Sequence, residues 1–442
     1  MKKTLLEPCE DEASVGVECD RLTEDYRRWT GGRTVPSLGT NDGAPPLAFQ
    51  TWHRFKEAFP PELIATAVTR SKRQVAACVD PFGGSGTTAL ACQMLGVRST
   101  TIEVNPFLAD VIRAKLASFD VDELISTLAQ VRRQSKTRSV AATDYFANAP
   151  KTFLESPTNS RWLFNLPVAD RLAAILSAID GVEATGIRRL LRVVVGGMLA
   201  EVSNVTVSGK GRRYRGGWKD SATDADAVDR LFASRAERAL TDIGQFRQRH
   251  LVDADVIEGD ARKVQLKGAY DLSVFSPPYP NSFDYTDVYN LELWMLGYLT
   301  KRDDNRHLRN ATLSSHVQLL REYSPPPVGS PTLDTVLERL NGAQGELWSP
   351  WIPHMIGSYF SDLMTVVDRL RPRLRDDAQC WIVVGDSRYK GVTVPVAKIL
   401  TELVQERHWT VQHSAPIRHM KSSAQQGGRP ELAESLIVLR AD

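Results

Sequence analysis

Two short segments of the 442-residue chain carry the residue types from which chemistry is built. In Asp80-Pro81-Phe82-Gly83-Gly84-Ser85-Gly86-Thr87-Thr88, three glycines fall within four positions. Lacking β-carbons, they let the backbone turn sharply and approach a ligand closely. A helix beginning near Thr87 would turn its first amides toward an anionic group. In Ser276-Pro277-Pro278-Tyr279, two prolines stiffen a turn and remove competing N–H donors. Ser276 Oγ and the Pro277 carbonyl then form two acceptors suited to the hydrogens of a planar amino group. Tyr279 offers a ring face on which a flat partner can stack.

Both segments follow apolar runs that read as buried strands, Val75–Val79 and Leu272–Phe275. Loops at such strand ends share the carboxyl edge of one parallel sheet, where open α/β sheets bind ligands. From Phe49 to Leu116 the pattern is strand, helix, strand, helix. Thr87–Leu95 is apolar at helical spacing and stops at Gly96, and Ser99–Val104 is β-rich and contains Glu103. The organisation expected is a polar, loosely ordered arm over 1–45 and a first α/β part over 46–119. An almost wholly helical insertion follows over 120–250, with helices at 124–131, 169–179, 187–202 and 225–246. A second α/β part covers 251–299, a weakly periodic insertion 300–354, and a closing α/β part 355–442.

Bulk properties exclude several classes. Hydrophobic content of 42% and charged content of 24% are ordinary for a soluble globular protein, and the net charge of +2 announces no polyanion partner by itself. The five cysteines are too scattered for a disulfide framework or a zinc site, and no metal is expected. Met1–Pro8 has two lysines without a following apolar region, so it does not read as a secretion signal. No stretch approaches the ~18 apolar residues of a membrane helix. A soluble, cytoplasmic protein is expected.

The two motifs, their order and their flanks resemble the S-adenosylmethionine (AdoMet)-dependent DNA amino-methyltransferases, the N4-cytosine and N6-adenine class. The resemblance covers about 46–116, 252–299 and 355–440. It implies a Rossmann-like α/β fold with a mainly parallel sheet, AdoMet as cofactor and a base in DNA as target. Gly83, Gly84 and Gly86, with Phe82, Ser85 and Thr87, then cradle the methionine part of the cofactor. Asp80 takes its ammonium, Glu103 both ribose hydroxyls and Asp260 the adenine amino group. Trp52–Leu63 resembles the family's preceding cofactor-side segment. Ser276, Pro277, Pro278 and Tyr279 become the clamp on an extruded base. Ser276 in place of Asp leans toward cytosine N4 over adenine N6. The resemblance also implies a restriction-modification setting, with a nuclease or defence partner.

Rival chemistries leave different marks. Gly83-Gly84-Ser85-Gly86 misses the Gly-x-Gly-x-x-Gly spacing of nicotinamide enzymes and lacks the Lys of a phosphate loop. A C5-cytosine enzyme needs a Pro-Cys nucleophile after a strand; Pro8-Cys9 lies in the polar arm instead. An RNA amino-methyltransferase and a non-catalytic nucleic-acid-binding subunit stay open. For phosphate contact, Ser208–Lys219 presents Lys210, Arg212, Arg213, Arg215 and Lys219 among four glycines with Tyr214 and Trp218. Val384–Gly391, which carries Arg388 and Lys390, follows another strand and is placed to line the target-base pocket; Arg418–Ser423 is a further basic stretch. The 120–250 and 300–350 regions compete for target recognition.

Overall fold

The computed structural model describes residues 22–441, apart from Lys56, 209–210, 220–222, Leu320, His408 and 422–430. Seven strands form the central sheet: β1 (Ala77–Asp80), β2 (Arg98–Glu103), β5 (Ala254–Glu258), β6 (Tyr270–Phe275), β7 (Leu374–Gly385), β10 (Trp409–Lys421) and β11 (Glu431–Ala441). Two hairpins stand apart from it, β3 (Val205–Ser208) with β4 (Gly211–Tyr214), and β8 (Ser387–Tyr389) with β9 (Val392–Val394). The sheet order is β10-β11-β7-β6-β1-β2-β5. All neighbours from β7 to β5 are parallel, and β11 pairs antiparallel with both β7 and β10.

This order makes a switch point between β1 and β6. From β1 the chain winds outward through β2 to β5, then returns to the other side of β1 for β6 and β7. The crevice at such a reversal is where open sheets take ligands. The glycine loop leaves β1 there and Ser276-Pro277-Pro278-Tyr279 leaves β6.

Side chains alternate between two cores, as the period of two in a strand requires. Cys78, Trp381, Val383, Leu436 and Val438 face one layer; Val79, Ile382, Val384, Ile437 and Leu439 face the other. Helices Pro61–Arg70, Thr87–Met94 and Pro106–Leu116 cover the first face. Helices Ile352–Leu370 and Val396–Gln405 cover the second.

The helices of the first insertion, Val121–Thr137, Leu166–Asp180, Thr185–Val202 and Ala225–Gln245, extend the first core outward. Gly196 permits the contact: a β-carbon there would sit 2.5 Å from Phe107 in helix Pro106–Leu116. Two expectations need revision. Residues 22–45 are docked, with helix Glu24–Thr30 burying Tyr26 and Trp29 and Arg33 pairing with Glu62 at 2.8 Å. Buried aromatics outweigh the polar composition of this stretch. The 300–350 segment contains helices Arg302–Ala311 and Pro331–Gly342. The first of these carries only Leu308 and Ala311 as apolar residues, too few to set a period.

Candidate active site

Both loops open into one cleft of about 440 Å³. On its first side, Gly84 and Gly86 take φ of +52° and +82°, conformations that suit glycine. Gly83 N donates to the Ile102 carbonyl (2.9 Å) and Gly86 N to the Gly83 carbonyl (2.8 Å), which ties the loop to β2. A β-carbon on Gly86 would meet Ile112 at 2.8 Å. Gly86 therefore turns the chain, while Phe82, Gly83, Gly84, Ser85 and Thr87 line the cleft. Beneath the loop, the fully buried Lys115 donates to the Ser85 carbonyl at 2.7 Å, and burial brings its amine down to about 7.

Two acids at strand ends face this space. Asp80 ends β1 and accepts from Phe82 N at 2.8 Å; burial pushes its carboxyl up to about 6. Glu103 ends β2 and accepts from Gly84 N (2.6 Å) and Asn105 N (2.8 Å); burial pushes it up to about 7. Thr87 Oγ1 is buried without a hydrogen-bond partner among the described residues. A cation with a carboxylate and a diol, as in the amino acid and ribose of AdoMet, fits two raised acids, an orphaned hydroxyl and a helix start. These residues would hold it. Phe55 and Tyr289, stacked at 5.8 Å with their rings 3° from parallel, form an aromatic wall, and Phe55 lies against Gly84.

Asp260 departs from expectation. Both its carboxylate oxygens are taken by Arg262, at 2.9 Å and 2.8 Å, and Arg262 also pairs with Asp362 at 3.0 Å. Its neighbours Gly259 and Ala261 line the cleft while Asp260 does not. Its carboxylate is turned to Arg262 rather than to the cleft.

On the second side, Ser276, Pro277, Pro278 and Tyr279 all line the cleft. Ser276 Oγ donates to Tyr279 Oη at 3.3 Å, and Tyr279 Oη donates to Glu434 Oε1 at 2.7 Å. Arg418 grips the same carboxylate, with Nη2 3.1 Å from Oε1. Gly385, Glu434 and Arg418 stand side by side across β7, β11 and β10. A β-carbon on Gly385 would come within 2.5 Å of the Tyr279 ring. The glycine makes room for the ring, the next strand fixes its hydroxyl, and the third fixes that acid. Tyr389 donates to the Pro280 carbonyl at 2.8 Å and braces the turn.

Sequence reading assigned Phe55, Tyr289 and Asp386 no individual role, and it did not find Glu434 or the wall formed by Ala311–Leu313, Ser315 and His316, all of which line the cleft. Phe55 lay inside a segment singled out for its loose pattern. Arg418 had shown only as a basic stretch, and here it is paired. Glu434 has no local signal, since it meets Tyr279 across 155 positions.

The expected phosphate contacts divide. Lys210 lies outside the described residues. Within the basic segment, Gly211–Tyr214 forms strand β4, paired with β3. Arg212 pairs with Asp287 at 3.0 Å, and Arg215 donates to the carbonyls of Ala200 and Glu201 at the end of helix Thr185–Val202 and of Val205 at the start of β3. Arg213 and Lys219 are exposed, the latter 5.5 Å from the Trp218 ring centre. Arg388 and Lys390 lie on and beside β8, outside the cleft, with Lys390 3.4 Å from Glu346.

Residues 23–114 match a family model described as DNA methylase. The chain is similar to the Type II methyltransferase M.BsoBI of Geobacillus stearothermophilus, 24% identical over 88% of this chain and 85% of the relative. It is also similar to the Type II methyltransferase M.AvaI of Nostoc sp., 25% identical over 92% of this chain and 89% of the relative. The Type II methyltransferase M.MjaII of Methanocaldococcus jannaschii is 31% identical over a shorter stretch, 19% of this chain and 16% of its own.

Proposed function

We propose a specific reaction for this chain, which groups by family with the AdoMet-dependent DNA amino-methyltransferases: transfer of a methyl group to cytosine N4 of an extruded base in duplex DNA. One observation carries the reading: Gly84 and Pro277 line a single cleft at the β1–β6 switch point. Similarity to two Type II methyltransferases along most of both chains supports DNA as substrate and a restriction-modification setting.

When bound, AdoMet supplies an electrophilic methyl group on its sulfonium. The chain's own residues position the acceptor. An exocyclic amine is a poor nucleophile because its lone pair is delocalised into the ring. Ser276 Oγ and the Pro277 carbonyl draw the amino hydrogens aside and favour a pyramidal nitrogen, whose lone pair then points at the methyl. Tyr279, held by Glu434 and Gly385, supplies the stacking face. Positioning and fixed dipoles, rather than covalent catalysis, lower the barrier. Ser276 in place of Asp favours cytosine N4 over adenine N6.

Incubation with duplex DNA and labelled AdoMet, digestion to nucleosides and mass analysis tests the reading. N4-methylcytosine is the expected product. N6-methyladenine would keep the chemistry and change the base; label in a transcript alone would move the reaction to RNA. Absence of any methylated nucleoside would overturn the proposal.

A further inference from the structure

We propose that an arginine-lined cavity behind the target loop binds the phosphodiester backbone beside the extruded nucleotide, an inference that rests on DNA as the substrate. The cavity, about 410 Å³, forms where the two insertions meet. Arg212 reaches it from the β3–β4 hairpin of the first insertion. Arg302, Arg306 and Arg309 reach it from helix Arg302–Ala311 of the second. Spacings of four and three put these arginines on one face of that helix, which buries none of its residues. The helix contributes little to either core, yet turns three guanidinium groups toward one space.

Position and charge point to a nucleotide phosphate. Leu308 lines the base cleft, while the next residue, Arg309, lines the arginine cavity. The two spaces are thus back to back across helix Arg302–Ala311. Arg212 pairs with Asp287 and Arg309 with Asp284, leaving Arg302 and Arg306 as cations without an ion pair among the described residues. Glu292 lies beneath, but burial pushes its carboxyl up to about 8, so it adds little negative charge near neutrality. Arg212 Nη1 and Arg309 Nε are buried donors without partners among the described residues. Such donors cost stability until an acceptor arrives. A phosphodiester supplies anionic oxygens that suit the planar fork of arginine. A base drawn into the cleft brings its own flanking phosphates to this depth.

The test compares Arg302→Ala/Arg306→Ala with Arg132→Ala/Arg133→Ala, an equal charge loss on an exposed stretch of helix Val121–Thr137. Binding to duplex DNA is measured across salt concentrations, with AdoMet affinity as the check on folding. The first pair should reduce the salt slope by about two, near 0.9 per phosphate contact, and leave AdoMet affinity unchanged. The control should leave the slope as it was. Neutral methylphosphonate linkages flanking the target base should weaken the wild type and weaken the double variant no further. An unchanged slope, or equal losses in both pairs, overturns the inference while methylation of DNA by the wild type still stands. A wild type that binds AdoMet but neither binds nor methylates duplex DNA fails at the earlier step, and the functional reading falls with this one.

Discussion

The two halves of the cleft are built in opposite ways. The cofactor side comes mostly from one stretch of about 50 residues: Phe55, the Asp80–Thr88 loop and Glu103 follow one another through helix, strand, turn, helix and strand, and Tyr289 joins them from beyond β6. The target side is assembled from afar. Tyr279 leaves β6, but the groups that hold it, Gly385, Arg418 and Glu434, stand on three later strands. A pocket for a constant ligand can be written into one contiguous motif. A base platform whose surroundings differ between targets is more readily varied when its supports come from elsewhere.

The largest effects should separate the halves. Tyr279→Ala removes the platform and should lower turnover about 100-fold, consistent with the cost of misplacing a reacting group, while AdoMet affinity stays within about twofold by calorimetry. A parallel loss of AdoMet affinity would mean that the halves are one unit. Glu103→Ala should do the reverse. Loss of a charge-assisted hydrogen bond costs about 1.5–3 kcal/mol, so AdoMet should bind about 10- to 150-fold more weakly while turnover at saturating cofactor changes much less. Unchanged cofactor affinity would remove Glu103 from the ribose role.

Legibility followed the same division. The placement of Asp80, the glycine loop and Glu103 at one cleft could be read because it depends on a short spacing around strand ends. Ser276-Pro277-Pro278-Tyr279 was visible for the same reason. Asp260 looked equivalent, at the end of the next strand, but Arg262 two residues on occupies its carboxylate. The row Gly385–Glu434–Arg418 was not legible, because it depends on antiparallel register. Irregularities at Val411/His413 and Pro416/Arg418 set that register, and composition does not reveal them. Similarly, Tyr26 and Trp29 are anchors in a segment whose average polarity suggested a free arm.

Smaller changes should sharpen the comparison on the target side. Glu434→Gln keeps the shape but weakens the charged bond from Tyr279 Oη and the pairing with Arg418. Turnover should fall about tenfold, near the 1.5 kcal/mol end for a bond to a charged group. Tyr279→Phe should produce a similar loss, and the double variant little more, because both remove one contact. Fully additive losses would show that Glu434 acts apart from Tyr279. Gly385→Ala should give a larger turnover defect than Glu434→Gln without affecting AdoMet binding, since its β-carbon must displace the ring.

The gentlest probe is pH, which should act on the cofactor half. Burial raises Asp80 to about 6 and Glu103 to about 7, so both are partly protonated near neutrality in the free protein. Since these folded values exceed the unfolded ones, the acids' contribution to stability is full below the unfolded pKa and is lost as pH rises through about 6 and 7. AdoMet reverses the balance, because its ammonium and ribose hydroxyls favour the ionised forms. Affinity should therefore weaken as pH falls from 8 to 6. Binding near pH 6.5 should release protons, seen as a calorimetric heat that depends on the ionisation enthalpy of the buffer. The thermal upshift given by AdoMet should likewise be larger at pH 8 than at pH 6. Glu103→Gln should remove the part of this linkage centred near 7 and leave the part centred near 6, which belongs to Asp80. Proton release unaltered in that variant would mean that Glu103 does not ionise on binding, and its place beside the ribose would be lost.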